Sequence, residues 1–116
     1  MKIASLSENL NLEKRIAITP EIAKKYKSLG FEVLISKDYG SHLGFDDDHY
    51  KSQGANICEN EKELLTNSDI ILQLALPSDE NLSLLKENQN LIGVLNPYLN
   101  KQKLEKLSKR KINNFS

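Results

Sequence analysis

The chain has 116 residues, enough for one domain with a sizeable core, and its 16 Lys and Arg cancel its 16 Asp and Glu. That balance excludes a global field steering it towards nucleic acid or an anionic membrane surface. A single cysteine, Cys58, excludes an internal disulfide and fits a reducing cytoplasm, and no apolar run has the length of a signal-peptide core or a membrane span.

Residues 2–6 read as an opening strand and the polar stretch 7–14 as a loop. Arg15-Ile16-Ala17-Ile18-Thr19-Pro20-Glu21 follows, and the rest of the chain is organised around it. Its extended apolar part runs into Thr19, which can cap a helix; Pro20 takes the first helical position, and Glu21 sets an acid in the first turn. The spacing predicts a helix over 20–29 with Ile22, Ala23, Tyr26 and Leu29 on one face, ended by Gly30 in a left-handed conformation. Phe31, Val33, Leu34 and Ile35 give residues 31–36 the signature of a buried strand.

A loop over 37–45, holding Gly40 and Gly44, leads to a short helix opened by Asp46-Asp47-Asp48 and closed by Gly54. A brief strand over 55–58 comes next, then a short helix over 60–66 with Leu64 and Leu65 inward. The most apolar strand spans 69–74 and ends at Pro77; a short helix over 79–86 and a buried strand over 91–95 follow, the latter ended by Asn96-Pro97. Residues 101–109 read as a helix with Leu104 and Leu107 inward and a basic last turn, and residues 112–116 as the start of one more strand.

Strand and helix alternate throughout with short connections. This predicts an α/β fold: a doubly wound, mainly parallel sheet with helices on both faces, flavodoxin- or Rossmann-like, over residues 1–116. The last strand reads as truncated, so the expectation is an incomplete domain.

Few residues offer chemistry. Gly40-Ser41-His42-Leu43-Gly44 lacks both phosphate-loop patterns and reads as a turn that needs backbone freedom. Asp46-Asp47-Asp48-His49 has no second ligand cluster, so helix capping accounts for it better than a metal, and no metal site is expected. His42 and His49 read as surface residues, and Cys58, without a partner at metal or redox spacing, as a small buried apolar one. What remains is a rim. In a doubly wound sheet Arg15, Ala75-Leu76-Pro77 and Asn96-Pro97-Tyr98 all face the carboxyl ends of the strands, where ligands meet such folds. This rim lacks an acid/base pair and an activated nucleophile, so no catalytic residue is expected within the chain.

The run Arg15–Glu21, then Leu29-Gly30-Phe31-Glu32-Val33, then Phe45-Asp46-Asp47 with Gly54-Ala55-Asn56-Ile57, resembles the N-terminal domain shared by alanine dehydrogenases and proton-translocating nicotinamide nucleotide transhydrogenases. Two positions separate the branches. Alanine dehydrogenases place a Lys near residue 75 to hold the substrate carboxylate and a His after the next strand as proton donor; this chain has Ala75 and Asn96 there. The run Leu72-Gln73-Leu74-Ala75-Leu76-Pro77 is similar instead to the transhydrogenase alpha subunit, as is Asn96-Pro97, although Asn96 itself departs from the aromatic residue common there.

The resemblance implies the N-terminal part of the NAD(H)-binding component of a transhydrogenase, which exchanges hydride between NAD(H) and NADP(H) with proton translocation. It implies that NAD(H) is held mainly by a second Rossmann-like subdomain outside this chain, with NADP(H) on a partner component. Implied partners are that subdomain, the membrane and NADP(H)-binding components, and a second copy of the soluble component; nucleic acid is not among them. The implied location is cytoplasmic, peripheral on the inner membrane. Arg15 is the one cofactor-binding candidate, and the chain alone is expected to be inactive. Two other readings stand beside this one: an alanine-dehydrogenase-like oxidoreductase, and a non-catalytic flavodoxin-like binding module.

Overall fold

The structure, a computed structural model, describes residues 1–115. Its strands are β1 (Lys2–Ser5), β2 (Glu32–Ser36), β3 (Asn56–Cys58), β4 (Ile70–Gln73), β5 (Asn90–Gly93) and β6 (Asn113–Phe115). The helices are α1 (Pro20–Ser28), α2 (Asp47–Ser52), α3 (Glu61–Thr66), α4 (Asp79–Ser83) and α5 (Lys101–Lys109). The strands form one sheet in the order β3-β2-β1-β4-β5-β6, and every neighbouring pair is parallel. The expected strand over 112–116 is present as far as Phe115; Ser116 lies outside the described residues.

This strand order is that of the doubly wound Rossmann-like sheet, with its reversal between β1 and β4. Right-handed crossovers running outward in two directions from that seam put the helices of each half on opposite faces. Ala23 of α1 and Tyr50 of α2 accordingly pack with Ile3, Val33 and Ile35 on one face. On the other, Leu64 and Leu65 of α3, Leu82 of α4, and Leu104 and Leu107 of α5 pack with Ala4, Ile71 and Leu91.

The same topology corrects the reading of residues 91–95 as a buried strand. Leu91 is buried under α5, but Ile92 is 37% and Val94 53% exposed. Phe115, which pairs with Ile92 in register, is exposed on the same side. Neither α1 nor α2 packs against this half of the sheet, because both follow the β1–β3 direction.

Local signals fix the helix ends. The Thr19 hydroxyl accepts the Ile22 amide at 3.2 Å, and Asp46 accepts the His49 amide at 2.8 Å. The acidic run therefore serves as a cap: Asp46 caps the N-terminus of α2, and Asp47 takes the Asp38 amide at 3.0 Å, where Asp38 sits at φ +59°. Leu29, expected on the inner face of α1, is exposed, because it is the C-cap residue beyond the last helical turn. Cys58 is only half-buried: β3 is an edge strand, and the thiol donates to the Asn60 carbonyl at 3.2 Å. Of the two loop glycines, Gly44 has φ +85°, whereas Gly40 is needed for space, since a Cβ there would lie 2.9 Å from the Tyr50 hydroxyl.

Candidate functional site

Where β1 and β4 run side by side and their following loops diverge, the carboxyl edge of the sheet opens into two adjoining clefts. The inner one, about 310 Å³, lies between the loop after β1 (Ser7, Glu8, Asn9) and the end of β4, with Glu61 and Asn81 at its wall. The outer one, about 680 Å³, holds Glu13, Arg15, Asn96, Asn100 and Lys103. Leu12 and Ala75-Leu76-Pro77 line both.

The floor of the inner cleft is a polar clip. Gln73 is buried at the end of β4, and its side chain continues the strand ladder across the seam. Its Oε1 accepts the Leu6 amide at 2.6 Å, and its Nε2 donates to the Leu6 carbonyl at 3.2 Å. The same Nε2 donates to Glu8 Oε2 at 2.9 Å. Glu8 also accepts the Leu74 amide at 3.0 Å and the Ala75 amide at 3.2 Å, so its carboxylate closes the open end of β4. Burial pushes the Glu8 carboxyl above its ordinary range, against the pull of the hydrogen bonds from Leu74, Ala75 and Gln73. Sequence reasoning missed Glu8. It sits in a run, Ser7-Glu8-Asn9, that reads as a solvated loop, and only the 65-residue step to Gln73 gives it a role.

The outer cleft brings together most of the expected rim. Arg15 and Asn96 both line it, as do Ala75-Leu76-Pro77, while Tyr98 is 97% exposed and stays outside the lining. Arg15 is gripped by Glu13. Its Nη2 lies 2.7 Å from Oε1 and its Nε 3.0 Å from Oε2, and its own amide donates to Oε2 at 2.9 Å. These hydrogen bonds hold the Glu13 carboxyl down at about 2.

Asn96 is presented by a strained turn. Leu95 (φ +50°) and Asn96 (φ +44°) are consecutive non-glycine residues in the left-handed region, and the Asn96 amide closes on the Val94 carbonyl at 2.6 Å. Asn100, ahead of α5, holds this turn: its Nδ2 donates to the carbonyls of Leu95 at 2.8 Å and Asn96 at 3.3 Å. Just before it, β5 comes so close to β4 that a Cβ on Gly93 would overlap the Gln73 carbonyl oxygen.

The segment that carries Arg15 has no secondary structure and is anchored by two buried tyrosines. The Tyr39 hydroxyl accepts the amides of Ala17 at 3.0 Å and Ile18 at 3.1 Å, and the Tyr50 hydroxyl donates to the Ile18 carbonyl at 2.7 Å. Their rings meet edge to face at 5.8 Å. Burial pushes both phenols upward, so each keeps its proton.

Neither histidine lines the clefts. His42 is exposed with Nε2 2.7 Å from the Lys14 carbonyl, and His49 is exposed against Phe45. Among the described residues no cluster of His, Cys, Asp and Glu is placed to hold a metal ion, and no helix is long and apolar enough to cross a membrane. The residues lining the outer cleft include no imidazole, thiol or phenol, Glu13 is committed to Arg15, and Lys103 pairs with Asp79 at 3.2 Å. This arrangement can bind and orient a polar group.

Residues 5–116 match the family model described as alanine dehydrogenase/PNT, N-terminal domain. The chain is 34% identical over 121 residues to the first portion of the NAD(P) transhydrogenase alpha subunit of Rickettsia prowazekii, covering 100% of this chain and 31% of that protein. It is 30% identical over 107 residues to alanine dehydrogenase 1 of Staphylococcus aureus, covering 92% of this chain and 28% of that one. Its fold superposes on the crystal structure of transhydrogenase from Sinorhizobium meliloti with a TM-score of 0.92 at 25% identity, over 100% of this chain and 34% of that one. An L-alanine dehydrogenase structure shares the fold, with a TM-score of 0.89 at 22% identity over 98% of this chain and 31% of that one. The chain thus spans about a third of the length of the curated relatives it matches.

Proposed function

The chain belongs to the alanine dehydrogenase/PNT N-terminal domain family, and on that premise we propose that it is the N-terminal part of the NAD(H)-binding component of a proton-translocating NAD(P) transhydrogenase. The whole assembly would exchange hydride between NAD(H) and NADP(H). The observation that carries this reading is the pair of side chains at the rim: Ala75 and Asn96 line the outer cleft at the positions where the alanine dehydrogenase resemblance calls for a cation and an imidazole. Reduction of a 2-oxo acid or its imine takes up a proton along with the hydride and needs a donor. Exchange between two nicotinamides moves the hydride alone, from one ring to the other, and needs none. A cleft that orients without donating protons suits the second reaction.

In this reading the described residues supply only part of the nucleotide site. The glycine loop after β2, Gly40–Gly44, lacks a phosphate-loop pattern and packs against Tyr50, whose hydroxyl would be 2.9 Å from a Cβ on Gly40. The main NAD(H) site accordingly belongs to a second Rossmann-like subdomain of the same subunit, with Arg15 as the contribution of this chain. Leu12, Leu99 and Val94, exposed around the outer cleft, supply the apolar collar on which that subdomain would close. NADP(H) then belongs to a partner component, a second copy of the soluble component completes a dimer, and the complex works at the cytoplasmic face of the inner membrane.

The test is to read the source coding sequence beyond residue 116 and to assay the chain alone. The frame is expected to continue into an Arg/Gln/Asp loop and a strand–G-x-G-x-x-G–helix unit, and the isolated chain to show no NADH-dependent reduction of an NADP analogue. Reduction by the chain alone, or reduction of pyruvate by the full subunit, would overturn the proposal.

A further inference from the structure

Ile18 is fully buried in a segment that forms no strand or helix, so its backbone groups and those of Ala17 need partners from elsewhere. A single oxygen supplies both amides: the Tyr39 hydroxyl accepts Ala17 N–H and Ile18 N–H. The hydrogen inventory around it closes. Ser5 has one hydroxyl hydrogen, and it goes to the Leu72 carbonyl at 2.6 Å; the 2.8 Å contact between Ser5 and Tyr39 is therefore a donation by Tyr39. The Tyr39 oxygen thus accepts twice and donates once. Through it the arm is tied to the end of β1 (Ser5), the residues after β2 (Tyr39) and β4 (Leu72), all at the cleft edge of the sheet.

We propose that Tyr39 is the positioning residue for Arg15: by holding the Ala17 and Ile18 amides, it fixes where the arginine enters the outer cleft. The proposal rests on the reading that this cleft faces the nicotinamide cofactor. Phenylalanine at this position would leave two amide hydrogens unpaired in an apolar setting. The cheapest relaxation is for the arm, left with the Tyr50 hydroxyl on the Ile18 carbonyl as its buried tie, to lift into water while the sheet stays folded.

The test compares Y39F with S5A in the full chain by amide hydrogen exchange and by the Arg15 Nε–H resonance. In Y39F the amides of Ala17 and Ile18 are expected to exchange roughly ten- to a hundredfold faster, while those of Val33 and Ile71 keep their protection. The Arg15 Nε–H resonance, whose bond is to Glu13 on the same arm, should shift as the arm leaves the cleft edge. S5A keeps the Tyr39 oxygen as acceptor, so the two arm amides should stay protected. Unchanged exchange at Ala17 and Ile18 in Y39F would overturn the proposal, and so would uniform acceleration across the sheet, which would make Tyr39 a core residue only. No cofactor enters these measurements, so their failure counts against Tyr39 alone and leaves the cofactor reading to the hydride-exchange assay.

Discussion

The carboxylate of Glu8 accepts the side-chain amide of Gln73 at 2.9 Å, across the seam where β1 and β4 part. Glu8 lies in the loop after β1 and Gln73 is the last residue of β4, so the crevice that opens where the chain leaves these two strands needs a fixed floor, and this contact makes it. The amides of Leu74 and Ala75 depend on the same carboxylate.

Removing Glu8 should therefore cost more than an ordinary loop substitution. E8A leaves those two amides and the Gln73 Nε2 short of an acceptor, and a loss of about 1–3 kcal/mol is expected in urea denaturation at neutral pH. A loss below about 0.5 kcal/mol would show that water replaces the carboxylate without penalty.

Glu8 and Glu13 should affect acid stability with opposite signs. The folded-state pKa of Glu13 is lowered from 4.5 to about 2 by Arg15, so its contribution is fully present above about 4.5 and is lost as pH falls towards 2. Burial raises that of Glu8, so the folded state binds this proton more readily than the unfolded one. Its contribution is present below the ordinary carboxyl range and is lost as pH rises through the raised value. Denaturation of the native chain, E8Q and E13Q from pH 2 to 7 separates the two. E13Q should flatten the acid-side fall, and E8Q should remove a decline above about 4.5. The same slope in all three would contradict both assignments.

Gly93 and the residues on either side of it, Ile92 and Val94, should respond in contrasting ways. A Cβ at Gly93 runs into the Gln73 carbonyl oxygen, so G93A must push β5 off β4, and a loss of about 3 kcal/mol or more is expected. I92T and V94T place hydroxyls on the half of the sheet that α1 and α2 leave open, and each should change stability by no more than about 1 kcal/mol. Thermal denaturation of the three variants is the check. A tolerated G93A would mean that the strands slide apart freely at this point.

Arg110 holds the end of α4 from the far side of α5. Its guanidinium donates to the carbonyls of Leu82 at 2.9 Å and Ser83 at 3.3 Å in the last turn of α4, and to that of Leu85 at 2.7 Å just beyond it. R110A should lose about 1–3 kcal/mol, and R110K should recover only part, because an ammonium cannot reproduce the planar fork. Equal stability of the lysine and native forms would show that charge, and not geometry, is what α4 requires.

Much of this protein was decided within a few residues of chain. Thr19 and Pro20 start α1 by their own chemistry, Asp46 caps α2, and Leu64, Leu65, Leu104 and Leu107 turn inward by helical spacing alone. Strands separated by short helices require right-handed crossovers, and these made the parallel sheet legible, along with the placement of Arg15 and Asn96 on one rim. Tertiary structure decided what depends on residues far apart. Glu8 acquires its role only when Gln73 arrives 65 positions later, and Tyr39 only when two amides of an irregular segment lack partners. Ile92 and Val94 read as buried because their apolarity is local. Their exposure follows from strand order, which sends α1 and α2 towards β3 and leaves the opposite half of that face uncovered by them. Hydrophobic pattern says which side chains seek cover; only the direction of the crossovers determines which of them receive it.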